Sequence, residues 1–452
     1  MKTHILRQQL RCKLLSPFGF VILSTLLHTQ VLADTTEIKL SANMATAVME
    51  ADKRQTAFLK VSLTGFDVDE QQARIPANIA IVMDKSGSMR GQKIDYARQA
   101  AIYAIKQLNK DDIVSVVTYD SQVNVIIPAT KVSDKATINR LIRSIQADGN
   151  TALFAGVSKG AAELRKFISE NQVSRVILLS DGLANVGPRS PSELGQLGMS
   201  LSKEGISVTT IGLGLGYNED LMTQLAGFSD GNHAFVEKPS DLVKIFQYEF
   251  GDVLSVIAQD VNIIIECGEN IQPIRILGRK GDIIGNKVSI RMNQLYSGQE
   301  KFVLMEVEVP EHHENTNTLI ATVKVDYNNL YTHSRYNLND SVSVKFSASR
   351  KEVKESIDPQ VYESSVEQVA NEDSKQALLL RDKGDIFAAK KMLNKVADYL
   401  QSNAGMLSSE RLKSQEMEAR KDADEVDDSS NWLRKRKVLK ETQYKRSIQQ
   451  SY

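Results

Sequence analysis

Short apolar runs alternate with amphipathic helical segments between residues 76 and 250 of this chain. Strand-like runs rich in Val and Ile lie at 79–83, 113–119, 176–180 and 206–213. Runs of this composition are typical of strands that are buried on both faces, and the intervening segments place their apolar residues on one helical face. The alternation predicts a doubly wound α/β fold, in which helices cover both faces of a mostly parallel sheet.

The pattern changes on both sides of this block. Residues 34–75 contain an alternating segment at 58–63, which predicts an N-terminal β segment. Residues 253–348 carry short β-type runs separated by Gly, Asn and Pro, without a helical pattern between them. This second region predicts an added domain of the antiparallel β-sandwich type. The sequence leaves open whether the N-terminal strands join that domain.

The C-terminal part of the chain returns to helical periodicity. Residues 357–416 contain two helical segments that are separated at Lys383-Gly384-Asp385, which predicts a helical hairpin. The hairpin resembles one unit of a tetratricopeptide repeat, but no second copy follows it. Residues 417–452 are dense in charge and contain few apolar side chains, so we predict a disordered or peripheral tail.

Residues 1–33 have the pattern of a signal peptide. Four basic residues and no acidic one precede an apolar core at 18–27, and small residues follow up to Ala33. The core is too short to span a bilayer, so an uncleaved membrane anchor is the second interpretation. The pattern predicts export with cleavage near Ala33, and it leaves open whether the protein is periplasmic or extracellular.

Composition narrows the classes of function. The whole chain has 56 basic and 56 acidic residues, and removing the four leader cations leaves 52 against 56, a net charge of −4. A weakly acidic protein of this kind is not built to coat nucleic acid. Cys267 is the one cysteine beyond the leader, so no intrachain disulfide is expected in the processed chain. Its position at the end of an apolar run favours a structural thiol.

Oxygen-bearing side chains follow two of the predicted strands. The first run ends in Asp84-Lys85-Ser86-Gly87-Ser88, a turn in which one carboxylate and two hydroxyls can point to one place, and the run at 176–180 leads into Asp181. The carboxyl ends of parallel strands lie at one edge of a sheet, which is where such sheets bind ligands. Carboxylate and hydroxyl oxygens suit Mg²⁺ or Mn²⁺, which keep waters in the remaining positions.

A threonine in a glycine-containing loop completes a recognisable pattern. Five positions match it in order: Asp84, Ser86, Ser88, Thr151 and Asp181. Together they resemble the metal-ion-dependent adhesion site of the von Willebrand factor A family, whose pattern is Asp-x-Ser-x-Ser followed by Thr and then Asp. The resemblance covers about residues 78–250, within a domain predicted at 76–250.

The resemblance implies a Rossmann-like fold and a divalent cation, Mg²⁺ first and Mn²⁺ second. It implies that Ser86 and Ser88 bind the ion directly, and that Thr151, Asp84 and Asp181 bind it directly or through water. An open coordination position would then accept an Asp or Glu from a partner protein. Some members of the family switch states by moving their last helix, but nothing in this sequence shows that this chain does so.

Other motifs give no support for catalysis, and we predict no catalytic residue. The chain lacks a P-loop and a dinucleotide fingerprint, and the His pair at 312–313 lacks the helical spacing of a zinc site. Lys85 and Arg90 flank the first turn and either attract acidic partners or are solvated. The basic run at 434–437 could contact a membrane or cell-wall polymer, or remain solvated.

The leading hypothesis is an exported protein that binds other proteins through a metal ion, in adhesion, scaffolding or assembly. A metal-assisted hydrolase is one alternative, and it would need a general base close to the cation. An accessory subunit of a chelatase or ATPase complex is another, and it would need a separate nucleotide-hydrolysing partner. The sequence does not reveal the partner or the oligomeric state.

Overall fold

A computed structural model of the protein describes residues 37–68 and 73–451, so the predicted signal peptide lies outside the described residues. In those ranges the strands are β1 (Lys39–Met44), β2 (Val48–Glu50), β3 (Gln55–Thr64), β4 (Ala77–Asp84), β5 (Ile113–Tyr119), β6 (Val123–Lys131), β7 (Val173–Ser180), β8 (Ile206–Leu213), β9 (His233–Val236), β10 (Val256–Cys267), β11 (Gln272–Leu277), β12 (Asp282–Ile284), β13 (Lys287–Tyr296), β14 (Glu300–Val309), β15 (Asn317–Asn329) and β16 (Ser334–Ser347). The helices are α1 (Gln92–Gln107), α2 (Lys135–Arg143), α3 (Leu153–Leu164), α4 (Pro191–Lys203), α5 (Glu219–Phe228), α6 (Leu242–Leu254), α7 (Arg350–Glu355), α8 (Pro359–Asp382), α9 (Ile386–Leu407), α10 (Glu410–Glu425) and α11 (Trp432–Ile448).

The central part of the chain is a six-stranded sheet in the order β6-β5-β4-β7-β8-β9. Every pair in it is parallel except β5 with β6, which form a hairpin. Successive residues of β4 serve opposite faces: Ile79 and Ile81 pack with α1, α2 and α6, whereas Ala80 and Val82 pack with α3, α4 and α5. Because both faces are covered, β4 is buried along its whole length. The predicted doubly wound α/β fold is confirmed.

The second part is a β-sandwich of two sheets. One has the order β1-β3-β14-β11, and the other has the order β12-β13-β10-β15-β16-β2, with all pairs antiparallel except β16 with β2. Alternating side chains such as Leu59 and Val61 of β3 face Ile263 and Ile265 of β10 in one apolar core. The N-terminal strands therefore belong to the sandwich, a point that the sequence left open.

A buried polar cluster joins the parallel-sheet domain to the sandwich. Arg175 of β7 is fully buried, and its guanidinium donates to a Glu249 carboxylate oxygen of α6 at 2.7 Å. It also donates to the Tyr296 hydroxyl oxygen of β13 at 2.7 Å and to the Gln294 side chain. Since α6 is separated from β10 by Ser255 alone, the last helix of one domain leads directly into a central strand of the other.

The C-terminal helices are ordered, so the prediction of a disordered tail at 417–452 is wrong. Residues 417–425 continue α10, which packs with α8 and α9, and α11 lies against α5, α8 and β9. The basic run begins α11 and is neutralised inside the chain. Lys437 is fully buried and donates to Glu219 at 2.5 Å, while Arg434 makes a bidentate pair with Glu237 at 2.7 and 2.9 Å. Charge density alone could not show that these partners exist.

Helix α11 also covers the free edge of the parallel sheet. The backbone N–H of Phe235 in β9 donates to Glu441, and the N–H of His233 donates to the Gln450 amide oxygen. The Tyr444 hydroxyl donates to the Gly231 carbonyl oxygen at 2.5 Å. These contacts occupy hydrogen-bonding groups that an exposed edge strand would offer to another chain. Over the described residues, we find no helix with the length and apolar content that crossing a bilayer requires.

We expect Lys437→Ala to destabilise the protein by about 2 to 4 kcal/mol, because a buried charge pair and a hydrogen bond to the Tyr217 carbonyl oxygen are lost together. Urea unfolding measures this loss. Lys413→Ala is the control, because that lysine forms an exposed pair with Glu410 on α10. Equal midpoints for the two variants would show that α11 is not held by this contact.

Candidate metal centre

The carboxyl edge of the parallel sheet brings the two predicted carboxylates together. Strands β4 and β7 are adjacent and parallel, with Met83 opposite Leu179, so Asp84 and Asp181 occupy neighbouring strand ends. Both side chains are buried. The register of two apolar strands therefore sets the distance between two acidic groups that lie far apart in sequence.

The turn after β4 is organised around the first carboxylate. One Asp84 oxygen accepts from the Ser86 backbone N–H at 2.8 Å, and the other accepts from the Ser180 hydroxyl at 2.8 Å. A short 3₁₀ turn over Gly87–Met89 follows, and it brings the Ser86 and Ser88 hydroxyl oxygens to 3.0 Å from each other. Ser86 is buried, whereas Ser88 is exposed, so the turn opens to solvent on the Ser88 side.

The second carboxylate contacts this turn directly. The Ser88 hydroxyl donates to one oxygen of Asp181 at 2.7 Å. The other oxygen of Asp181 forms a close ion pair with the ammonium of Lys93, in the first turn of α1. Lys93 was not among the residues singled out in the sequence. A lysine in the first turn of an amphipathic helix has the pattern of a solvated residue, so no sequence signal distinguishes Lys93.

Thr151 lies on the opposite side of the same space. A Cβ atom placed on Gly182 would be 3.1 Å from the Thr151 hydroxyl oxygen, 3.5 Å from the Ser88 hydroxyl oxygen and 3.8 Å from an Asp84 carboxylate oxygen. Oxygens from three separate loops thus surround one point, which the missing side chain of Gly182 leaves open. The structure brings all five predicted residues together, and their role as metal ligands stays a prediction.

Backbone hydrogen bonds hold the three loops to one another. The Gly87 N–H donates to the Gly149 carbonyl oxygen at 2.9 Å, and the Asp148 N–H donates to the Lys85 carbonyl oxygen. The Thr151 N–H donates to the side-chain oxygen of Asn185 at 2.9 Å. These bonds link the loop that bears Thr151 to the turn after β4 and to the loop after Asp181. The donor oxygens are therefore preorganised by hydrogen bonds among the three loops.

The two cations that flank the first turn have partners within the chain. Lys85 forms an ion pair with Asp120, and both side chains are largely buried. Arg90 lies 3.0 Å from a carboxylate oxygen of Asp148, and this second pair is exposed. A partly buried ion pair competes with any attraction of Lys85 to outside acids, whereas the exposed pair at Arg90 is weak and exchangeable.

Burial shapes the electrostatics of the centre. It raises the pKa of Asp84 to about 6. The nearby charge of Asp181 also raises this pKa, whereas hydrogen bonds from Ser86 and Ser180 lower it. Two carboxylates with little solvent favour a proton or a cation between them. The arrangement is therefore electrostatically suited to a positive ligand.

The donor chemistry fits a hard divalent cation. The five predicted side chains offer two carboxylates and three hydroxyls, and within the described ranges no group of three or more His, Cys, Asp or Glu side chains is placed to hold a metal ion. Such donors suit Mg²⁺ or Mn²⁺ better than a metal that prefers nitrogen or sulfur. The His pair does not form a rival centre, because His313 bonds Asp52 at 2.8 Å while the His312 ring packs on Phe346.

Residues 78–248 match the family described as the von Willebrand factor type A domain. This part of the chain is a von Willebrand factor type A domain. An uncharacterized Synechocystis sp. protein, sll0103, is 27% identical over 249 residues, which are 53% of this chain and 59% of the relative. The uncharacterized Escherichia coli protein YfbK is 28% identical over 47% of this chain and 37% of its own length. The human inter-alpha-trypsin inhibitor heavy chain H2 is 29% identical over 36% of this chain and 18% of that protein.

Two solved structures are similar well beyond the von Willebrand factor A domain. A von Willebrand factor type A protein from Catenulispora acidiphila has a TM-score of 0.68 at 14% identity, over 84% of this chain and 89% of that one. The ArnB paralog VWA2 from Sulfolobus acidocaldarius has a TM-score of 0.63 at 16% identity, over 92% and 99%. At these identities the likeness shows the fold alone, including much of the sandwich and helices. The chain spans 59% or less of the curated relatives named above.

We expect Asp84→Asn to abolish metal binding while stabilising the metal-free protein. The folded-state pKa of about 6 lies above the ordinary 3.8, so the folded chain resists ionisation of Asp84. The resulting cost is on the order of 3 kcal/mol above pH 6, and it disappears as the pH falls towards 4. In EDTA at pH 7.5 the variant should therefore have a higher urea midpoint than the wild type, with no difference near pH 4.

Mn²⁺ titration calorimetry checks the other half of this prediction, and Asp148→Asn is the control because that carboxylate is exposed in a neighbouring loop. The control should keep both the Mn²⁺ heat and the wild-type stability. Full Mn²⁺ heat in Asp84→Asn would remove this carboxylate from the centre, and a lower midpoint in EDTA would contradict the electrostatic argument.

We expect Gly182→Val to weaken Mn²⁺ affinity by more than about tenfold, because the new side chain would occupy the point on which the oxygens converge. Calorimetry at pH 7.5 measures the affinity. Gly251→Ala is the control, because a Cβ atom on Gly251 in α6 would meet nothing within 4 Å. An unchanged affinity in Gly182→Val would mean that the cation binds elsewhere.

Proposed function

We propose that this is an exported protein that binds partner proteins through a divalent cation in its von Willebrand factor A domain, with Mg²⁺ as the resident ion. The observation that carries the proposal is the convergence of Thr151, Ser88 and Asp84 oxygens on one point beside Gly182, with Asp181 bonded to Ser88. The oxygen donors, the buried carboxylates and the exposed side of the turn all support it.

The five side chains of the centre supply two kinds of oxygen donor. Asp84 and Asp181 supply two negative charges from the buried side of the centre. The hydroxyls of Ser86, Ser88 and Thr151 supply neutral oxygens around them. A bound divalent cation would supply an electrophilic position for an acidic side chain. Because Ser88 is exposed while both carboxylates are buried, a partner approaches from the Ser88 side. Neutral hydroxyls leave more of the ionic charge for that partner than carboxylates would.

A role in binding is favoured over hydrolysis by the surroundings of the centre. A hydrolase would need a general base close to the cation. His233 is the histidine of the parallel sheet, but it is buried beneath α11 and bonded to the Thr210 hydroxyl at 2.8 Å. Burial lowers the pKa of His233 to about 3, and this side chain is therefore a weak base. The proposal assigns no catalytic residue.

The partner contact is placed on the metal centre rather than on the basic run at 434–437. The sequence of that run permits a contact with a membrane or cell-wall polymer, but its side chains are engaged within the chain. Arg436 pairs with Glu219, Asp220 and Asp382, and Lys435 pairs with Asp422 and Glu425. An anionic surface would have to displace these carboxylates before it could bind there.

The test is affinity capture from a cell-envelope extract with the processed wild-type chain, once with Mg²⁺ and once with EDTA. We expect the same partner to be recovered with Mg²⁺ and to be lost with EDTA and with Asp181→Asn. The control, Asp111→Asn, changes an exposed residue just before β5, at the opposite edge of the sheet, and should retain the partner. Equal recovery under all four conditions would contradict a metal-dependent contact.

A further inference from the structure

Lys93 occupies a position beside the metal centre that the five-residue pattern does not include. Its ammonium pairs with Asp181, whose side chain is buried, while Lys93 itself remains 30% exposed. On its other side the ammonium lies 3.8 Å from the position that a Cβ atom on Gly214 would take, at the end of β8. Lys93 is thus held between the second carboxylate and the loop that follows the next strand.

The two oxygens of Asp181 have different partners. One accepts from the Ser88 hydroxyl at 2.7 Å and faces the hydroxyl cluster, and the other pairs with Lys93. A cation among the hydroxyls would use the oxygen that faces Ser88. Lys93 can therefore keep its contact with the opposite oxygen, and its charge stays beside the centre when the cation is present.

The charges around the centre can then be counted. Asp84 and Asp181 contribute −2 and Lys93 contributes +1, which leaves −1 before a cation binds. A divalent cation brings the total to +1, and a carboxylate from a partner brings it to zero. An uncompensated charge in a poorly solvated site is costly, and the cation alone changes the net charge from −1 to +1 without removing it, so only the state with both ligands is neutral.

We propose that the charge of Lys93 weakens binding of the cation alone and makes cation binding depend on a carboxylate ligand. The inference rests on the proposed function and concerns the specificity of the same centre. Lys93 repels the cation and attracts the carboxylate, so that each ligand strengthens binding of the other. The coupling is reciprocal, because the two ligands share one thermodynamic cycle.

A purely structural role for Lys93 predicts a different result. If the ammonium served only to orient Asp181, its removal would loosen the carboxylate and weaken cation binding. If it acts through its charge, its removal strengthens binding of the cation alone. The sign of the change in metal affinity therefore distinguishes the two roles.

The experiment is Mn²⁺ titration calorimetry of the processed chain at pH 7.5, in sodium acetate and in sodium chloride of equal ionic strength. Acetate serves as the carboxylate probe, and Asp84→Asn supplies the heat of Mn²⁺ with acetate in the absence of the site. For the wild type we expect Mn²⁺ to bind several-fold more tightly in acetate than in chloride. For Lys93→Met we expect binding in chloride to tighten by about fivefold or more, and the acetate effect to fall below about twofold.

Two variants serve as controls. Lys93→Arg keeps the charge and should behave as the wild type in both buffers. Lys106→Met makes the same substitution at an exposed position in the last turn of α1, and it should also leave both affinities unchanged. Urea midpoints in EDTA establish that each variant is folded before its affinities are compared.

The outcomes separate the inference from the proposed function. No Mn²⁺ binding by the wild type would overturn both. Mn²⁺ binding by the wild type, with unchanged or weaker binding by Lys93→Met in chloride, would overturn the role of Lys93 alone. An equal acetate effect in Lys93→Met and the wild type would do the same. If Lys93→Met does not fold, a changed acetate effect in Lys93→Arg would overturn the role, since that variant keeps the charge.

Discussion

The ion pair between Arg175 and Glu249 is the interaction on which the arrangement of the molecule depends. Arg175 lies on β7, the strand that leads into Asp181, and Glu249 lies on α6, the helix that leads into the sandwich. No solvent reaches either side chain, and Tyr296 of the sandwich accepts a further hydrogen bond from the guanidinium. Removing one member of such a pair typically costs about 3 to 5 kcal/mol, because the other charge is left buried and alone. The strand that carries the second carboxylate is thereby fixed to the sandwich.

The C-terminal helix α11, at the β9 edge of the sheet, adds a second constraint. Lys437 of α11 donates to the Tyr217 carbonyl oxygen at 2.7 Å, within the loop after β8. In the same loop, a Cβ atom on Gly216 would lie 2.7 Å from the carbonyl oxygen of Asp181. A segment near residue 437 therefore supports a loop that packs against the metal centre. Helix α11 is therefore part of the scaffold of the site.

The parts that could be predicted from sequence are those that local patterns encode. The apolar strand runs and amphipathic helices specify the doubly wound sheet, and the oxygens after β4 and β7 specify the site because strand ends share an edge. The order of α11 could not be predicted, because Lys437 and Glu219 are separated by 218 residues and their pairing leaves no periodic signal. Lys93 was missed for a related reason: a lysine in the first turn of an amphipathic helix has the pattern of a solvated residue.

The centre combines features that oppose stability and favour binding. The paired strands β4 and β7 hold two carboxylates out of solvent. This burial raises the pKa of Asp84. The remaining donors are hydroxyls, which add no negative charge, and Lys93 offsets one of the two charges that are present. A site of this composition does not satisfy a divalent cation by itself. In the proposed function the missing negative charge comes from outside the chain, and that requirement would turn a metal site into a site for recognising an acidic partner.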